Sequence, residues 1–289
     1  RTIVSLAELT DPELAAWIDK CGAFPNSMVD CIVPATGPQE FELVRKIGID
    51  DAAPVTHESY RQWVIEDKFA NGRPDWDAVG ATFTSRVHDY ETMKIRILNG
   101  GHQVLANVGE VLAVPTIADC MADADLRAFW RKVELTEIAP FVAPVPEIDA
   151  SGYVDLIERR FANPRIHDTT RRVAFDGSSR HFGFIVPTLN DALAAGNKVD
   201  GLALVEALWA RMCLGTREDG TVIEPNDPIW DSLKETAEQA RTRPAAWLEQ
   251  HQIYGDLADS AAFADRFAGW LSMIWTDGAR AALRAYLDR

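Results

Sequence analysis

The sequence predicts a mainly α fold in which a small, partial α/β piece is followed by a large all-α domain. Short apolar segments with the composition of strands occur only in the first 85 or so residues, where they alternate with helical patterns. After Arg86, apolar residues recur at helical spacing almost without interruption. A chain of 289 residues is long enough for this arrangement. We therefore divide the chain into residues 1–86 and residues 87–289.

The α/β piece contains two helical patterns and four strand candidates, too few strands for a complete sheet. Thr10 or Asp11 can cap a first helix that has Pro12 in its first turn and ends at Gly22. A second helix is predicted from Gly37 to about Lys46. Strands are predicted late in the segment 24–34 and at 55–56, 62–65 and 81–84, with a turn at 71–74.

The all-α domain is divided into helices by proline and glycine residues. The best helical patterns cover residues 125–141, 153–161, 201–214, 227–241 and 260–274. No strand pattern follows Thr84. The first helix of this domain adjoins the α/β piece, and clefts are common at domain boundaries.

Charge and composition restrict the partners. The formal net charge is −15, which disfavours nucleic acid and anionic membranes because both require a basic surface. We expect a small-molecule ligand, no nucleic acid, no membrane and a monomer. The four cysteines form no C-x-x-C pair, so we expect free buried thiols, no metal and a cytoplasmic location. The chain begins with Arg1 rather than methionine, which suggests a fragment.

One predicted helix, His88–Ala106, carries an unusual mixture of polar groups. At about 100° per residue, five positions of this helix fall within an arc of about 140°: Glu91, Lys94, Leu98, Asn99 and His102. Gly100 and Gly101 together destabilise the helix by about 1.5–2 kcal/mol relative to alanine. Such a loss is tolerated where another backbone or a ligand comes close. We interpret this face as the floor of a catalytic pocket.

These residue types suit reversible oxidation of a secondary alcohol. Lys94 can act as general base if burial lowers its pKa. Asn99 can donate its amide N–H to the substrate oxygen, and His102 can bind a hydroxyl. Glu91 can pass the proton to bulk water. Each residue also has a structural explanation: a surface ion pair for Glu91 and Lys94, a helix end for Asn99, and a packed core histidine for His102.

A second polar stretch, Arg171–Arg180, interrupts the helical pattern with a Gly-Ser-Ser turn. Its three arginines could bind an anion or a polyhydroxylated ligand. The simpler interpretation is a helix that ends at Gly177, with the arginines interacting favourably with the helix dipole. On residues alone we favour the simpler interpretation.

Several longer motifs resemble the polyol-specific long-chain dehydrogenases, a family that includes mannitol 2-dehydrogenases and fructuronate reductases. The pattern Lys94-x4-Asn99-x2-His102 is similar to the signature of that family. The resemblance extends over essentially the whole chain, and further matching segments are Phe24–Pro34, Gln62–Asp67, Arg160–Pro164 and Asp176–Ser179.

This resemblance implies a zinc-independent enzyme that uses NAD, with NADP not excluded, and interconverts a polyol and a ketose, most simply mannitol and fructose. It implies the C-terminal part of a Rossmann-type domain in residues 1–86, followed by a helical domain like the C-terminal domain of 6-phosphogluconate dehydrogenase. Lys94 would be the general base, Asn99 would stabilise the oxyanion, and His102 would contact substrate. Glu91 would lie on the proton path, and Asp30 and Arg172 would border the substrate.

Two departures from the family pattern affect the expected dinucleotide binding and the expected substrate. No Gly-x-Gly-x-x-Gly turn follows a strand, so we expect this chain by itself to bind the dinucleotide poorly and to be inactive. Cys31 stands where the family usually has arginine, and Phe175 stands where some members have a polar residue, so the polyol or sugar acid is left open. In the alternative of a fructuronate reductase, Arg172 or Arg180 would pair with the substrate carboxylate.

Two other classes of protein are alternatives to a polyol dehydrogenase. A non-catalytic helical binding module predicts an exposed Lys94 with no cleft beside it. The substrate domain of a hydroxyacid dehydrogenase, such as 6-phosphogluconate dehydrogenase, also places lysine, histidine and asparagine on one helix, but at a tighter spacing than here.

Overall fold

The structure is a computed structural model that describes residues 2–289, and these residues form two compact units. The first unit ends at Glu91, and the second comprises Thr92–Arg289. The predicted fold class is confirmed: the described residues are mostly helical, with one small three-stranded sheet. The division between the units falls within the helix that begins at Val87.

Within residues 2–91, the first unit contains α1 (Thr2–Thr10), α2 (Pro12–Cys21), α3 (Pro38–Lys46), a 3₁₀-helix at Trp76–Val79 and most of α4 (Val87–Met93). The Asp11 carboxylate accepts the Leu14 N–H at 3.0 Å and so caps α2, with Gly22 following the last turn. The helix with Pro12 in its first turn and the helix predicted from Gly37 are both confirmed, whereas α1 was not predicted as a separate helix.

The sheet of the first unit has the order β1 (Ser27–Asp30), β2 (Gln62–Glu66) and β3 (Thr82–Thr84). β1 pairs antiparallel with β2, and β2 pairs parallel with β3. The strand predicted at residues 55–56 is wrong. Val55 is 62% exposed there, so no buried face supports an extended segment at this position.

The second unit is built almost entirely of helices. After α4 (Val87–Met93), its α-helices are α5 (Gly100–Val111), α6 (Ile117–Ala122), α7 (Ala124–Val133), α8 (Ala150–Phe161), α9 (Thr170–Val173), α10 (Gly177–Arg180), α11 (Val186–Ala194), α12 (Asp200–Met212), α13 (Trp230–Ala240), α14 (Ala245–Leu248), α15 (His251–Tyr254), α16 (Ala261–Asp277) and α17 (Ala279–Leu287). All five helical patterns predicted in this part of the chain are present.

The core of the second unit surrounds α5 and α12. Every residue of α5 is buried, as is every residue of α12 from Gly201 to Met212. α12 packs against both α16 and α5. A helix that is buried on all sides carries small and apolar residues around its whole circumference, which explains the weak amphipathic pattern of both segments.

Within residues 2–289, three π-helices interrupt the α-helices: Lys94–Asn99, Glu134–Ile138 and His181–Ile185. Each ends with a backbone N–H that donates to the carbonyl five residues earlier, for example Gly100 to Ile95. The second and third π-helices lie just before Pro140 and Pro187. A proline lacks an N–H and clashes with the preceding turn, and a widened turn accommodates both effects.

Two further observations concern the whole described chain. None of the four cysteines forms a disulfide within residues 2–289, and only Cys120 and Cys213 are buried, since Cys21 is exposed and Cys31 is half-buried. The expectation that all four thiols are buried is therefore wrong for Cys21 and Cys31. No helix within residues 2–289 combines the length and the apolar character needed to cross a bilayer.

Candidate active site

The π-helix Lys94–Asn99 sets the angle around the helix axis between positions 94 and 99. In a regular α-helix, positions five apart point about 140° away from each other. In a π-helix the i→i+5 hydrogen bond places the fifth residue one turn beyond the first, on the same side. The prediction of a regular α-helix over His88–Ala106 is therefore wrong at Lys94–Asn99, where the structure has a π-helix. Lys94 and Asn99 share one side more closely than α-helical geometry would allow.

His102 follows Asn99 by one α-helical turn and is 8% exposed. Its ring stacks on Phe161 with the centroids 4.2 Å apart. Its Nε2 lies 3.9 Å from Asp168 Oδ2 and has no hydrogen-bond partner within residues 2–289. Burial lowers the pKa of His102 well below its usual value, and the charges of Arg172, Arg180, Arg160 and Lys94 lower it further. The imidazole is therefore neutral near pH 7.

Arg172 is held by Asp168 in a two-point ion pair. The guanidinium Nε and Nη2 atoms lie 2.6 and 2.5 Å from the two carboxylate oxygens. Asp168 is almost fully buried, at 3% exposure, whereas the Arg172 side chain is 41% exposed. The pair fixes the orientation of the guanidinium and leaves part of it accessible to a ligand near His102.

Arg180 completes the group of cations around His102. Burial lowers the pKa of this half-buried guanidinium, and the charge of Arg172 has the same effect. No other group within residues 2–289 hydrogen-bonds to it or forms an ion pair with it. A partly desolvated guanidinium with unused donors is suited to bind oxygen atoms of a ligand.

The remaining parts of the stretch 171–180 stabilise the fold. Arg171 donates to the carbonyls of Glu224 and Pro225, at 2.9 and 3.0 Å. The interpretation of Gly177 as a helix C-terminus is wrong, because Gly177 begins α10. A Cβ atom at Gly177 would lie 2.6 Å from the Trp209 indole nitrogen, so close packing explains this glycine. Asp176 precedes it in the left-handed conformation, with φ 56°, which aspartate tolerates.

Gly100 and Gly101 allow two neighbouring segments to come close, as the sequence suggested. A Cβ atom at Gly100 would lie 3.4 Å from the Phe184 carbonyl oxygen. A Cβ atom at Gly101 would lie 2.5 Å from Glu134 Oε1 and 2.9 Å from the Trp130 indole nitrogen. Phe184 and Glu134 belong to the other two π-helices, so all three π-helices meet at this glycine pair.

The other two predicted site residues belong to the first unit. Asp30 is the last residue of β1 and is buried. Glu91 is half-buried, and its Oε2 lies 3.4 Å from His88 Nδ1. The structure thus groups Lys94, Asn99, His102 and Arg172 in the helical unit.

Sequence reasoning missed Asp168, Glu134 and Trp130. Asp168 precedes Arg172 by four residues, a spacing that favours ion pairs on a helix, so this partner could have been predicted. Nothing near Glu134 in the sequence indicates that its carboxyl group is buried against Gly101.

The dinucleotide fits the described residues only in part. β2 and β3 are parallel neighbours, as in a nucleotide-binding sheet, but no glycine-rich turn that cradles a pyrophosphate follows either strand within residues 2–289. We therefore assign no dinucleotide contact to this chain. No group of three or more His, Cys, Asp or Glu side chains in the described part of the chain is arranged to hold a metal ion.

A small mixed sheet thus precedes a large helical unit, in which a lysine, an asparagine and a histidine lie on one continuous helical segment. Residues 1–78 match the mannitol dehydrogenase Rossmann domain, and residues 86–275 match the mannitol dehydrogenase C-terminal domain. The chain belongs to the mannitol dehydrogenase family.

Individual relatives agree with this assignment. A mannitol 2-dehydrogenase of Cereibacter sphaeroides is 52% identical over 285 residues, which cover 99% of this chain and 60% of that protein. A D-mannonate oxidoreductase of Escherichia coli is 35% identical over 287 residues, which cover 98% of this chain and 59% of that protein. The chain thus spans about three fifths of the length of these relatives.

A solved structure has the same fold. The ternary complex of Pseudomonas fluorescens mannitol 2-dehydrogenase with NAD and D-mannitol matches with a TM-score of 0.90 at 35% identity. The match covers 99% of this chain and 58% of that chain.

Proposed function

We propose that this chain carries the substrate-binding and proton-transfer part of an NAD-dependent polyol dehydrogenase that interconverts mannitol and fructose. One observation supports the proposal: the half-buried Lys94 and Asn99 begin and end one π-helix, one turn before a buried, neutral histidine. The identity to the Cereibacter sphaeroides mannitol 2-dehydrogenase supports the choice of substrate.

In this proposal, Lys94 removes the proton from the C2 hydroxyl of mannitol. Asn99 donates an amide N–H to the same oxygen as it becomes a carbonyl. His102, being neutral, contacts a hydroxyl as donor at one ring nitrogen and acceptor at the other. Arg172, fixed by Asp168, binds further hydroxyls of the chain. Bound NAD would supply the acceptor for the hydride of C2, and no described residue is assigned to hold it.

The two residues of the first unit complete the proposal. Glu91 would receive the proton from Lys94 and release it to water, and Asp30 would border the substrate. NAD is assigned because the Pseudomonas fluorescens complex contains NAD, and NADP is kept as the alternative cofactor. A cytoplasmic monomer without nucleic-acid or membrane partners is part of the same proposal.

The test is the full-length protein assayed with mannitol, sorbitol and mannonate, each with NAD and NADP. We expect oxidation of mannitol with NAD. Lys94→Ala should lower kcat by about 10²–10⁴ at neutral pH, the contribution of a positioned general base. The control is Lys198→Ala, because Lys198 is exposed. Near-normal turnover by Lys94→Ala would show that another group is the base.

A second candidate, oxidation of a sugar acid such as mannonate, has one observation in its favour. The half-buried Arg180 guanidinium has no hydrogen-bonded partner within residues 2–289, and a substrate carboxylate would provide one. If mannonate is the substrate, Arg180→Leu should raise its KM far more than that of mannitol. Equal effects on both substrates would favour the neutral polyol.

A further inference from the structure

A chain of buried hydrogen bonds crosses the core of the helical unit behind the candidate active site. The Asn107 amide nitrogen donates to His181 Nε2 at 2.9 Å. His181 Nδ1 lies 2.7 Å from Glu206 Oε1, and the Tyr254 hydroxyl donates to Glu206 Oε2 at 2.6 Å. The Trp247 indole N–H donates to the Tyr254 oxygen at 2.7 Å. Each of these five side chains is at most 1% exposed.

Geometry fixes the direction of every bond. The Asn107 amide nitrogen also donates to the Gln103 carbonyl at 3.2 Å, and since a carbonyl oxygen only accepts, the amide orientation is determined. His181 Nε2 is then an acceptor, so the proton lies on Nδ1 and is donated to Glu206. The Glu206 carboxylate receives two hydrogen bonds, one from His181 and one from Tyr254.

Filling a core with such a network requires polar and charged groups to lose their hydration, which costs free energy. An apolar group of similar shape often stabilises a protein as well as a buried charged pair does, or better. A buried carboxylate with two donors is therefore better explained by the fixed geometry that it imposes than by stability. The question is what this geometry positions.

The network joins the two segments that carry the candidate site. His181 directly follows Arg180 and begins the third π-helix. Asn107 lies on α5, the helix that also carries His102. The same two segments approach each other at Gly100, where the Phe184 carbonyl comes close. The segment that contains Arg180 is therefore tied to α5 at two points, one of them a hydrogen bond.

We propose that the buried network Asn107–His181–Glu206–Tyr254 is a positioning device that holds Arg180 beside His102 for substrate binding. The effect on substrate binding rests on the proposed function. The hydrogen-bonded link between the segment that contains Arg180 and α5 can be measured separately. None of the four residues reaches the substrate, so none is a catalytic residue.

The decisive variant is the double substitution His181→Leu/Glu206→Leu in the full-length protein, which removes the tie and the buried charge together. Asn107 keeps its bond to the Gln103 carbonyl, and Tyr254 keeps its bond from Trp247. We expect KM for the polyol to rise about tenfold, the equivalent of one lost hydrogen bond to a charged group. We expect kcat to change by less than about twofold, because Lys94 and Asn99 are untouched.

A control variant separates positioning from stability. Tyr286→Phe removes a buried hydrogen bond of 2.9 Å to Glu137, in a second buried cluster of the helical unit. It should change thermal stability without changing KM. If the double variant does not fold, Glu206→Gln replaces it, because glutamine keeps the shape and weakens both bonds.

Amide hydrogen exchange gives a readout that needs no activity. Exchange over residues 177–185 should be faster in the double variant and unchanged in Tyr286→Phe. Unchanged exchange of residues 177–185 in the double variant would show that the network does not hold this segment, whatever the activity. An unchanged KM would show that the network has no role in substrate binding. Failure of the unsubstituted protein to oxidise any polyol would instead count against the proposed function.

Discussion

Gly101 lies directly against the carboxyl group of Glu134. A Cβ atom at position 101 would be 2.5 Å from Glu134 Oε1, closer than packed atoms approach each other. Glu134 is 0% exposed, and neither of its oxygens has a hydrogen-bond partner within residues 2–289. Gly101, which lies between Asn99 and His102 in the sequence, is thus packed against a buried acid from another helical segment.

The first prediction concerns this contact. Gly101→Ala should destabilise the protein by about 1–3 kcal/mol, the usual effect of overpacking a core. Gly183→Ala is the matched control, because no atom outside its own helix lies within 4 Å of a Cβ there. Thermal unfolding measures both variants. Truncation of the acid in Gly101→Ala/Glu134→Ala should recover part of the loss, and a double variant less stable than either single one would contradict the contact.

The second prediction concerns the pH dependence of stability. Burial raises the pKa of Glu134 well above its usual value. The unfolded chain therefore loses this proton near its ordinary pKa of about 4.3, whereas the folded chain keeps it. Stability from this group is fully present below that pH and declines as pH rises towards the folded pKa.

Glu134→Gln removes this titration and should stabilise the protein more at pH 8 than at pH 5. Melting temperatures at the two pH values measure the difference. Glu235→Gln is the control, because Glu235 is exposed on α13. An equal change at both pH values would mean that Glu134 is ionised in the folded protein.

The third prediction concerns His102. Because burial and four nearby cations lower its pKa, its protonation lies below the neutral range. We expect His102→Gln to weaken substrate binding without changing the shape of the pH–rate profile between about pH 6.5 and 8. Loss of an ionisation from the profile in this range would show that His102 titrates there. The control His251→Gln alters an exposed histidine on α15.

The fourth prediction concerns the ion pair of Arg172 with Asp168. Asp168→Asn removes the buried charge that orients the guanidinium, so KM for the polyol should rise by about 10- to 100-fold, as for a charge-assisted hydrogen bond. Arg172→Lys should have a similar effect, since lysine cannot form the two-point contact. The exposed Asp231→Asn is the control. An unchanged KM in Asp168→Asn would show that Arg172 does not bind the substrate.

Sequence patterns were sufficient to predict most of the helices and strands. Asp11, Pro12 and Gly22 marked the ends of α2 because capping is a local effect. The helix α1 was not predicted as a separate element although Ile3, Leu6 and Leu9 recur at helical spacing, and all three are exposed, at 58–83%. The strand predicted at residues 55–56 failed because strand composition does not ensure a partner.

By itself the sequence determined the mainly α fold, the glycine pair and the residue types that point to alcohol oxidation. Only the tertiary structure decided the π-helix that aligns Lys94 with Asn99, and the environment of His102. The physical reason is that both depend on packing between segments distant in sequence. The cations that act on His102 come from α8, α9 and α10 as well as from its own segment, and no local pattern encodes that convergence.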